Sequence, residues 1–210
     1  MVTLTRAHEA IKRPDGQIDP RIVRTRQLLQ QSFTALMTEK GFQNLTVQDV
    51  TDRAGVNRAT FYAHFEDKYA LLNYTVRESL EAMLQKRLPD KAAFTINNLR
   101  LLTVTTHEFI DYLFGHCHPF SPNNEHMLIA YQVQLHLNDI IHTWLIGDDS
   151  QKARAAAQPD PAPVLSWTIF GAVLEWMRGD RKEPPEQSAD RVLTFLLPSL
   201  APFLTGNGAV

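Results

Sequence analysis

The stretch that decides the fold covers residues 46–65 and reads TVQDVTDRAGVNRATFYAHF. Thr46 has the side chain of a helix N-cap, and Asp49 places a carboxylate in the first helical turn. Gly55 suits the left-handed conformation that commonly ends a helix, and Asn57 is a cap for a second helix. Two short helices joined by a glycine-containing turn predict a helix-turn-helix.

The second short helix has two faces of different chemistry. Phe61 and Phe65 are spaced to pack against the first short helix and the helix before it. The opposite face combines a cation, hydroxyl groups and an imidazole, which suit phosphates and base edges in a major groove. The residues of that face are Arg58, Thr60, Tyr62 and His64.

The rest of the chain is also predicted to be helical. Apolar residues recur at helical spacing over residues 21–40, and Gly41 ends the pattern. Asp67 is a candidate cap for a helix over about 68–88. The stretch 147–163 is polar and rich in Ala and Pro, which predicts a loop. Further helical patterns cover about 92–115, 124–146, 162–178 and 187–204.

From Arg24 to Leu72 the chain resembles the DNA-binding domain of the TetR family. The matching elements stand in the right order and at the right intervals, which makes the resemblance specific. It implies that the partner is a double-stranded DNA operator. The matching elements are Phe33, Gly41-Phe42, Thr46-Val47, Ala54-Gly55-Val56, Thr60-Phe61-Tyr62-x-His64-Phe65 and Lys68.

The resemblance also implies roles for individual residues. Arg58 and Thr60 are expected to read bases, and Ala59 to contact a thymine methyl group. Lys68 is expected to bind a phosphate at the N-terminus of its helix, where backbone N–H groups also favour an anion. The residues expected at the phosphate backbone are Thr25 or Arg26, Thr46, Tyr62, His64 and Lys68.

The predicted fold class is all-α, with an N-terminal three-helix helix-turn-helix domain followed by a helical-bundle ligand-binding and dimerisation domain. We expect a flexible arm over residues 1–20, the DNA-binding domain over 21–68, and the regulatory and dimerisation domain over 69–210. Residues 21–70 carry a net charge of +2 and residues 71–210 a net charge of −4. This small asymmetry can orient the N-terminal segment towards DNA.

The last two helical patterns resemble the pair that forms a four-helix dimer interface in such regulators. Reading two DNA half-sites needs a two-fold partner, so we predict a homodimer. Gly171 permits a close approach between helices. The alternative is that these stripes belong to the core of a single chain. The predicted interface residues are Leu165, Gly171, Leu174, Val192 and Leu196.

Aromatic residues of the C-terminal helices predict a pocket for an unidentified small-molecule effector. Ordinary aromatic core packing is the alternative for each of them. No cofactor is predicted. The candidate pocket residues are Tyr112, His136, Trp144, Trp167 and Phe170.

A run of soft ligands, His116-Cys117-His118, lies near His107 and His126. Thiolate and imidazole suit zinc or copper, but the spacing matches no standard site. We therefore predict no metal site and leave open whether the cluster has any role. The single cysteine excludes an intramolecular disulfide framework. With no secretory signal pattern and no apolar run long enough to span a membrane, a cytoplasmic protein is expected.

The predicted function is a sequence-specific DNA-binding transcriptional regulator, acting as a ligand-responsive repressor. The alternative is a co-regulator or activator that acts mainly through a protein partner. The chain contains no G-x-S-x-G, P-loop, H-E-x-x-H or dinucleotide motif. Cys117 is the one nucleophile candidate, and its adjacent histidines would not face it on a helix. We therefore predict that the chain is not an enzyme.

Overall fold

The computed structural model describes residues 19–89, 92–115, 124–147, 160–179 and 183–200. These residues form helices and no strand, which confirms the all-α prediction. No helix among them is long and apolar enough to cross a membrane. The helices are α1 (Pro20–Asn44), α2 (Val47–Ala54), α3 (Arg58–His64), α4 (Lys68–Leu84), α5 (Ile96–Gly115), α6 (Asn124–Leu145), α7 (Ala162–Arg178) and α8 (Pro185–Leu200).

The chain divides into two compact units, Met1–Thr75 and Val76–Val210, with the boundary inside α4. The first unit contains α1, α2, α3 and the beginning of α4. The second contains the rest of α4 and the helices that follow. The predicted N-terminal arm lies outside the described residues up to residue 18.

Helix α1 is capped by Asp19, whose Oδ1 accepts the backbone N–H of Arg21 at 2.9 Å. Gly41 has φ 74° and ψ 164°, which interrupts the helix where the sequence predicted its end. One further turn follows before the chain becomes extended at Leu45. The break matters because it lets Phe42 and Leu45 both reach the core, where each is fully buried.

The predicted caps form the turn between α2 and α3. Thr46 Oγ1 accepts the N–H of Asp49 at 3.2 Å, and the Asp49 carboxylate accepts the N–H of Thr46 at 2.7 Å. Gly55 takes the left-handed conformation (φ 67°, ψ 31°) that the sequence predicted. Asn57 Oδ1 then accepts the N–H of Thr60 at 2.7 Å and begins α3. These bonds give several of the backbone groups left unpaired at these helix ends a local partner.

The core of the first unit is built where α1, α2 and α3 pack together. Phe61 and Phe65 are both buried in it, as their spacing predicted. Burying an apolar side chain of this size stabilises the fold by about 2–3 kcal/mol. The other buried apolar residues of this core include Leu29, Phe33, Leu36, Phe42, Leu45, Val50, Leu71 and Leu72.

In the second unit α5 packs against both α7 and α8, and α6 packs against α7. Helix α5 begins at Ile96, four residues later than predicted. The reason is a local cap, since Thr95 Oγ1 accepts the N–H of Asn98 at 3.1 Å. The side-chain amide of Asn98 also donates to the carbonyl oxygen of Ala93 at 2.8 Å, which holds the preceding segment outside the helix.

The left-handed Gly55 gives a stability prediction. A Cβ at this position would meet nothing within 4 Å, so the cost of Gly55→Ala is backbone strain alone. We expect a loss of about 1 kcal/mol in the free energy of unfolding, measured by urea denaturation. Gly55→Asn should lose less, because asparagine tolerates this conformation.

Gly179→Ala is the matched control. Its φ of −71° suits any residue, and its added Cβ would lie 3.5 Å from the nearest carbonyl oxygen, an ordinary contact. The control should be close to neutral. Equal losses for Gly55→Ala and Gly179→Ala would contradict the assigned strain.

Candidate functional site

The exposed side of α3 presents a cation and a phenol one helical turn apart. Arg58 Nη2 donates to Tyr62 Oη at 3.3 Å, and the guanidinium carbon lies 5.9 Å from the centre of the Tyr62 ring. Tyr62 is half exposed, and Ala59 is exposed beside the pair. We call Arg58, Ala59 and Tyr62 the recognition face. Its two polar groups support each other's position, and the Tyr62 ring also packs edge-on against buried Phe61, with ring centres 5.5 Å apart.

Thr60 and His64 lie at the edges of this face and are half buried. The Thr60 hydroxyl donates to Oδ1 of Asn57 at 2.9 Å, so it takes part in capping α3. Nδ1 of His64 is buried and makes no hydrogen bond within the described residues. Burial and the positive charge of Arg26 lower the pKa of His64 below its ordinary value. The imidazole is therefore neutral at pH 7.

Of the two candidates at the start of α1, Arg26 lies inside the unit. It is 8% exposed, and its guanidinium carbon lies 5.9 Å from the ring centre of Phe65 and 5.5 Å from that of Tyr74. Thr25 is half buried, and its hydroxyl donates to the carbonyl oxygen of Arg21 at 2.9 Å. The structure therefore uses Arg26 for packing between aromatic rings, away from the solvent that a phosphate would occupy.

Lys68 has an internal partner at the end of α1. Its Nζ donates to the carbonyl oxygens of Phe42, Gln43 and Leu45, at 3.0, 3.3 and 2.9 Å. The ammonium group also lies 4.6 Å from the ring centre of Phe42. An ammonium group has three protons, and all three have acceptors here. Lys68 thus closes a helix end, whereas the sequence suggested a phosphate contact.

The N-termini of α2 and α4 are capped by their own carboxylates. Asp67 Oδ1 accepts two backbone N–H groups in the first turn of α4, each at 2.8 Å. At α2 the Thr46 hydroxyl donates to Asp49 Oδ2 at 2.5 Å. Lys40 and Thr46 hold the pKa of Asp49 well below its usual range. Both helix starts therefore already contain a negative charge where an anion would otherwise bind.

The cations of residues 21–70 differ in whether a carboxylate neutralises them. Lys40 Nζ lies 2.6 Å from Asp49, and Arg53 lies 2.7 Å from Glu39. Arg26 is buried, as described above. The exposed arginines for which the described residues provide no ion pair are Arg21, Arg24 and Arg58.

Arg21 and Arg24 were not singled out from the sequence as DNA contacts. Their spacing of three places both on one side of the first turns of α1, and this spacing was the available signal. What the sequence could not show is that the other basic residues of this unit have internal partners.

The second unit contains a cavity of about 200 Å³ between α4 and α6. His136 and Trp144, two of the predicted pocket residues, line it. Tyr112 and Trp167 are exposed, and Phe170 is buried, its ring centre 5.8 Å from that of Trp167. None of these three lines this cavity. Its lining residues are Arg77, Glu81, His136, Asp139, Ile140, Thr143 and Trp144.

The residues predicted for a dimer interface divide into two sets. Leu165 and Val192 are buried within the unit, whereas Gly171 is exposed, and Leu174 and Leu196 are half buried. The most exposed large apolar residues of α7 and α8 are instead Val164, Trp167 and Phe195, at 67%, 52% and 78%. We call Val164, Trp167, Gly171, Leu174 and Phe195 the apolar face.

His107, one of the histidines that the sequence places near the single cysteine, is part of the core of the second unit. His107 is fully buried, its Nδ1 donates to the carbonyl oxygen of Thr103 at 2.8 Å, and its Nε2 lies 3.0 Å from the Ser188 hydroxyl. Burial lowers the pKa of His107. Residues 116–118 lie outside the described residues. Among the described residues, no group of side chains could hold a metal ion.

A capped glycine turn with an exposed basic and phenolic face on its second helix defines a helix-turn-helix transcriptional regulator. The family model described as "Bacterial regulatory proteins, tetR family" matches residues 34–75. Residues 34–75 are therefore similar to the DNA-binding domain of the tetR family. The match also supports the prediction that the chain is a regulator and not an enzyme.

Two named relatives have similar sequences. The chain is 39% identical over 66 residues to the HTH-type transcriptional regulator YxbF of Bacillus subtilis (strain 168), covering 31% of this chain and 17% of YxbF. It is 26% identical over 198 residues to the HTH-type transcriptional repressor DhaR of Mycobacterium sp. (strain GP1), covering 83% of this chain and 93% of DhaR.

Among solved structures, a TetR transcriptional regulator from Streptococcus agalactiae 2603V superposes with a TM-score of 0.49 at 18% identity. The superposition covers 85% of this chain and 96% of that chain.

The bonds made by Lys68 give a second stability prediction. Lys68→Met keeps the length of the side chain but leaves three carbonyl oxygens at the end of α1 without their donor. We expect unfolding to become easier by about 2 kcal/mol, measured by urea denaturation. Lys86→Met, at an exposed position, is the control and should change stability by less than about 0.5 kcal/mol. Similar small effects of both variants would show that Lys68 does not hold this helix end.

Proposed function

We propose that this protein is a ligand-responsive transcriptional repressor that binds a double-stranded DNA operator as a homodimer. The observation that carries the proposal is the recognition face, in which Arg58 and Tyr62 are exposed together on the second helix of a matched helix-turn-helix domain. The relative DhaR is named a repressor, which supports repression over activation.

In this proposal α3 enters the major groove. Arg58 offers the paired N–H groups that suit a guanine, and Ala59 offers a methyl group to a thymine. Tyr62 donates its hydroxyl to a phosphate, and Arg21 and Arg24 add charge attraction from the start of α1. These contacts come from side chains that the fold leaves exposed.

The other residues predicted to contact DNA mainly make bonds within the domain itself. Arg26 and Lys68 hold the domain together from within, so we assign them no direct contact with DNA. Thr46, Thr60 and His64 each combine a structural bond or partial burial with a position near the recognition face. Their proposed contribution is to set the height and angle of α3 on the DNA. Thr25 remains a proposed phosphate contact.

The recognition face gives a DNA-binding prediction. Arg58→Ala should weaken binding to the operator by about 1–3 kcal/mol and reduce the preference over unrelated DNA. The measurement is fluorescence polarisation on DNA that flanks the protein's own gene, at several salt concentrations. Arg178→Ala removes an exposed arginine from the second unit and serves as the control, which should bind like the wild type.

Tight binding that weakens with salt, lost only in the recognition-face variant, is the expected result. Binding that is weak, indifferent to sequence and unchanged by Arg58→Ala would count against direct DNA reading. That outcome would favour regulation through a protein partner.

The proposed homodimer uses the apolar face of α7 and α8. A glycine inside a helix costs about 0.5–1 kcal/mol relative to alanine. A Cβ at Gly171 would meet nothing within 4 Å, so packing within the chain does not require a glycine there. Exposed Trp167 and Phe195 lie on the same pair of helices. A helix of a second copy that approaches closely at Gly171 explains all three residues.

This interface predicts that Gly171→Leu converts the dimer into a monomer, because the added side chain holds the helices apart. The measurement is molar mass by light scattering after size-exclusion chromatography. Ala82→Leu places the same side chain at an exposed position of α4 and should leave the dimer intact. A dimer that survives Gly171→Leu would place the interface elsewhere.

The proposed effector site is the cavity between α4 and α6. Helix α4 lines it through Arg77 and Glu81 and begins at Lys68, which is bonded to the end of α1. A ligand that changes the position of α4 therefore acts on a helix that also belongs to the DNA-binding domain. Ordinary coupling of this kind is worth about 1–3 kcal/mol.

A further inference from the structure

We propose that the cavity between α4 and α6 binds a small organic amine in its cationic form. The amine carries an ammonium group at one end and an apolar group at the other. The regulatory meaning of this site rests on the function proposed above. Its binding chemistry rests on the cavity alone. The cavity is smaller than the 300–1,000 Å³ typical of drug-sized sites, so its ligand is small.

The first observation is a buried imidazole without a hydrogen bond at the cavity wall. His136 is 5% exposed, and its Nε2 has no hydrogen-bond partner within the described residues. Nε2 lies 3.3 Å from Oε1 of Glu81, an ion-pair distance that falls outside hydrogen-bond geometry. In the tautomer with its hydrogen on Nδ1, Nε2 and Oε1 are two adjacent acceptors. A donor placed between them satisfies both.

The second observation is an excess of negative charge. Arg77 Nε binds Glu81 Oε1 at 2.9 Å, which neutralises that pair. Asp139 faces the same cavity, and the described part of the chain gives its carboxylate no partner. The lining therefore contains two carboxylates and one arginine. An ammonium group is the ligand that balances this charge and supplies up to three donors.

The third observation is an apolar wall beside these acceptors. Ile140 and Trp144 line the cavity one and two helical turns, respectively, from His136 on α6. The face of a tryptophan ring attracts cations and also packs against apolar groups. An amine with a small aromatic or branched apolar group therefore matches both parts of the cavity.

An organic acid fits the same cavity less well. Arg77 is the one permanent cation of the lining, and it is already bonded to Glu81. A bound carboxylate would also face the like charges of Glu81 and Asp139, and a like charge nearby disfavours the charged form of a carboxyl group. An uncharged alcohol would leave the negative charge of the lining unbalanced.

Binding of the amine would connect two helices. Its ammonium group would bond to Glu81 on α4 and to His136 and Asp139 on α6. A ligand held in this way favours one distance between the two helices, which is the requirement for shifting a conformational equilibrium.

The test uses three probes of nearly equal size: 2-phenylethylamine, 2-phenylethanol and phenylacetate. Their binding to the full chain is measured by isothermal titration calorimetry at pH 7 without DNA. We expect the amine to bind at least about tenfold more tightly than either other probe. Asp139→Asn should lower the affinity for the amine about tenfold. Glu186→Gln removes an exposed carboxylate elsewhere on α8 and should have no effect.

Since Asp139 is exposed and its carboxylate has no partner among the described residues, Asp139→Asn should fold normally, which circular dichroism checks. Equal binding of amine and alcohol, tighter binding of the acid, or no binding of the amine would each overturn the proposal. An affinity loss in Glu186→Gln equal to that in Asp139→Asn would overturn it too, because general charge would then explain the binding.

DNA binding is measured separately by fluorescence polarisation with and without the amine. A chain that binds its operator specifically but not the amine keeps the proposed regulatory function and loses this inference. A chain that binds the amine at Asp139 but no DNA keeps the site and loses the proposed function.

Discussion

The end of α1 is the point on which the N-terminal unit depends. A helix leaves its last carbonyl groups without intrahelical partners, and here Gly41 breaks the helix just before them. Lys68 satisfies three carbonyl oxygens of this segment from the first residue of α4. The same bonds therefore tie the end of α1 to the start of α4. With both ends held, Phe42 and Leu45 are kept in the core on which α2 and α3 pack.

This arrangement divides the basic residues of the unit into two groups. Arg26 and Lys68 are used inside the domain, and carboxylates neutralise Lys40 and Arg53. The charge available to a nucleic acid is therefore smaller than composition suggests. It is concentrated at the start of α1 and on α3. With only a few exposed arginines, binding to DNA would depend more on where each arginine lies than on the total charge of the domain.

The second unit presents two surfaces of opposite chemistry. On α7 and α8 the exposed residues are aromatic and aliphatic, with a glycine among them that packing within the chain does not require. Between α4 and α6 a small cavity is lined by carboxylates and a buried imidazole beside a tryptophan. Apolar surface favours a second protein surface, whereas a small polar cavity favours a small ligand. The two proposed roles therefore use different helices.

The sequence by itself determined the helix-turn-helix, because its signals are local. Thr46, Gly55 and Asn57 act on backbone groups within a few residues, so their side chains alone predict the caps and the turn. The sequence also determined that Phe61 and Phe65 are buried, since helical spacing puts them on one face. Only the tertiary structure decided which polar residues remain available. Lys68 bonds to carbonyl groups more than twenty residues away, and Arg26 lies between rings from two other segments. Likewise, the face of α7 that stays exposed depends on which neighbours cover the opposite one. Such partners are distant in the chain, and spacing along a single helix contains no information about them.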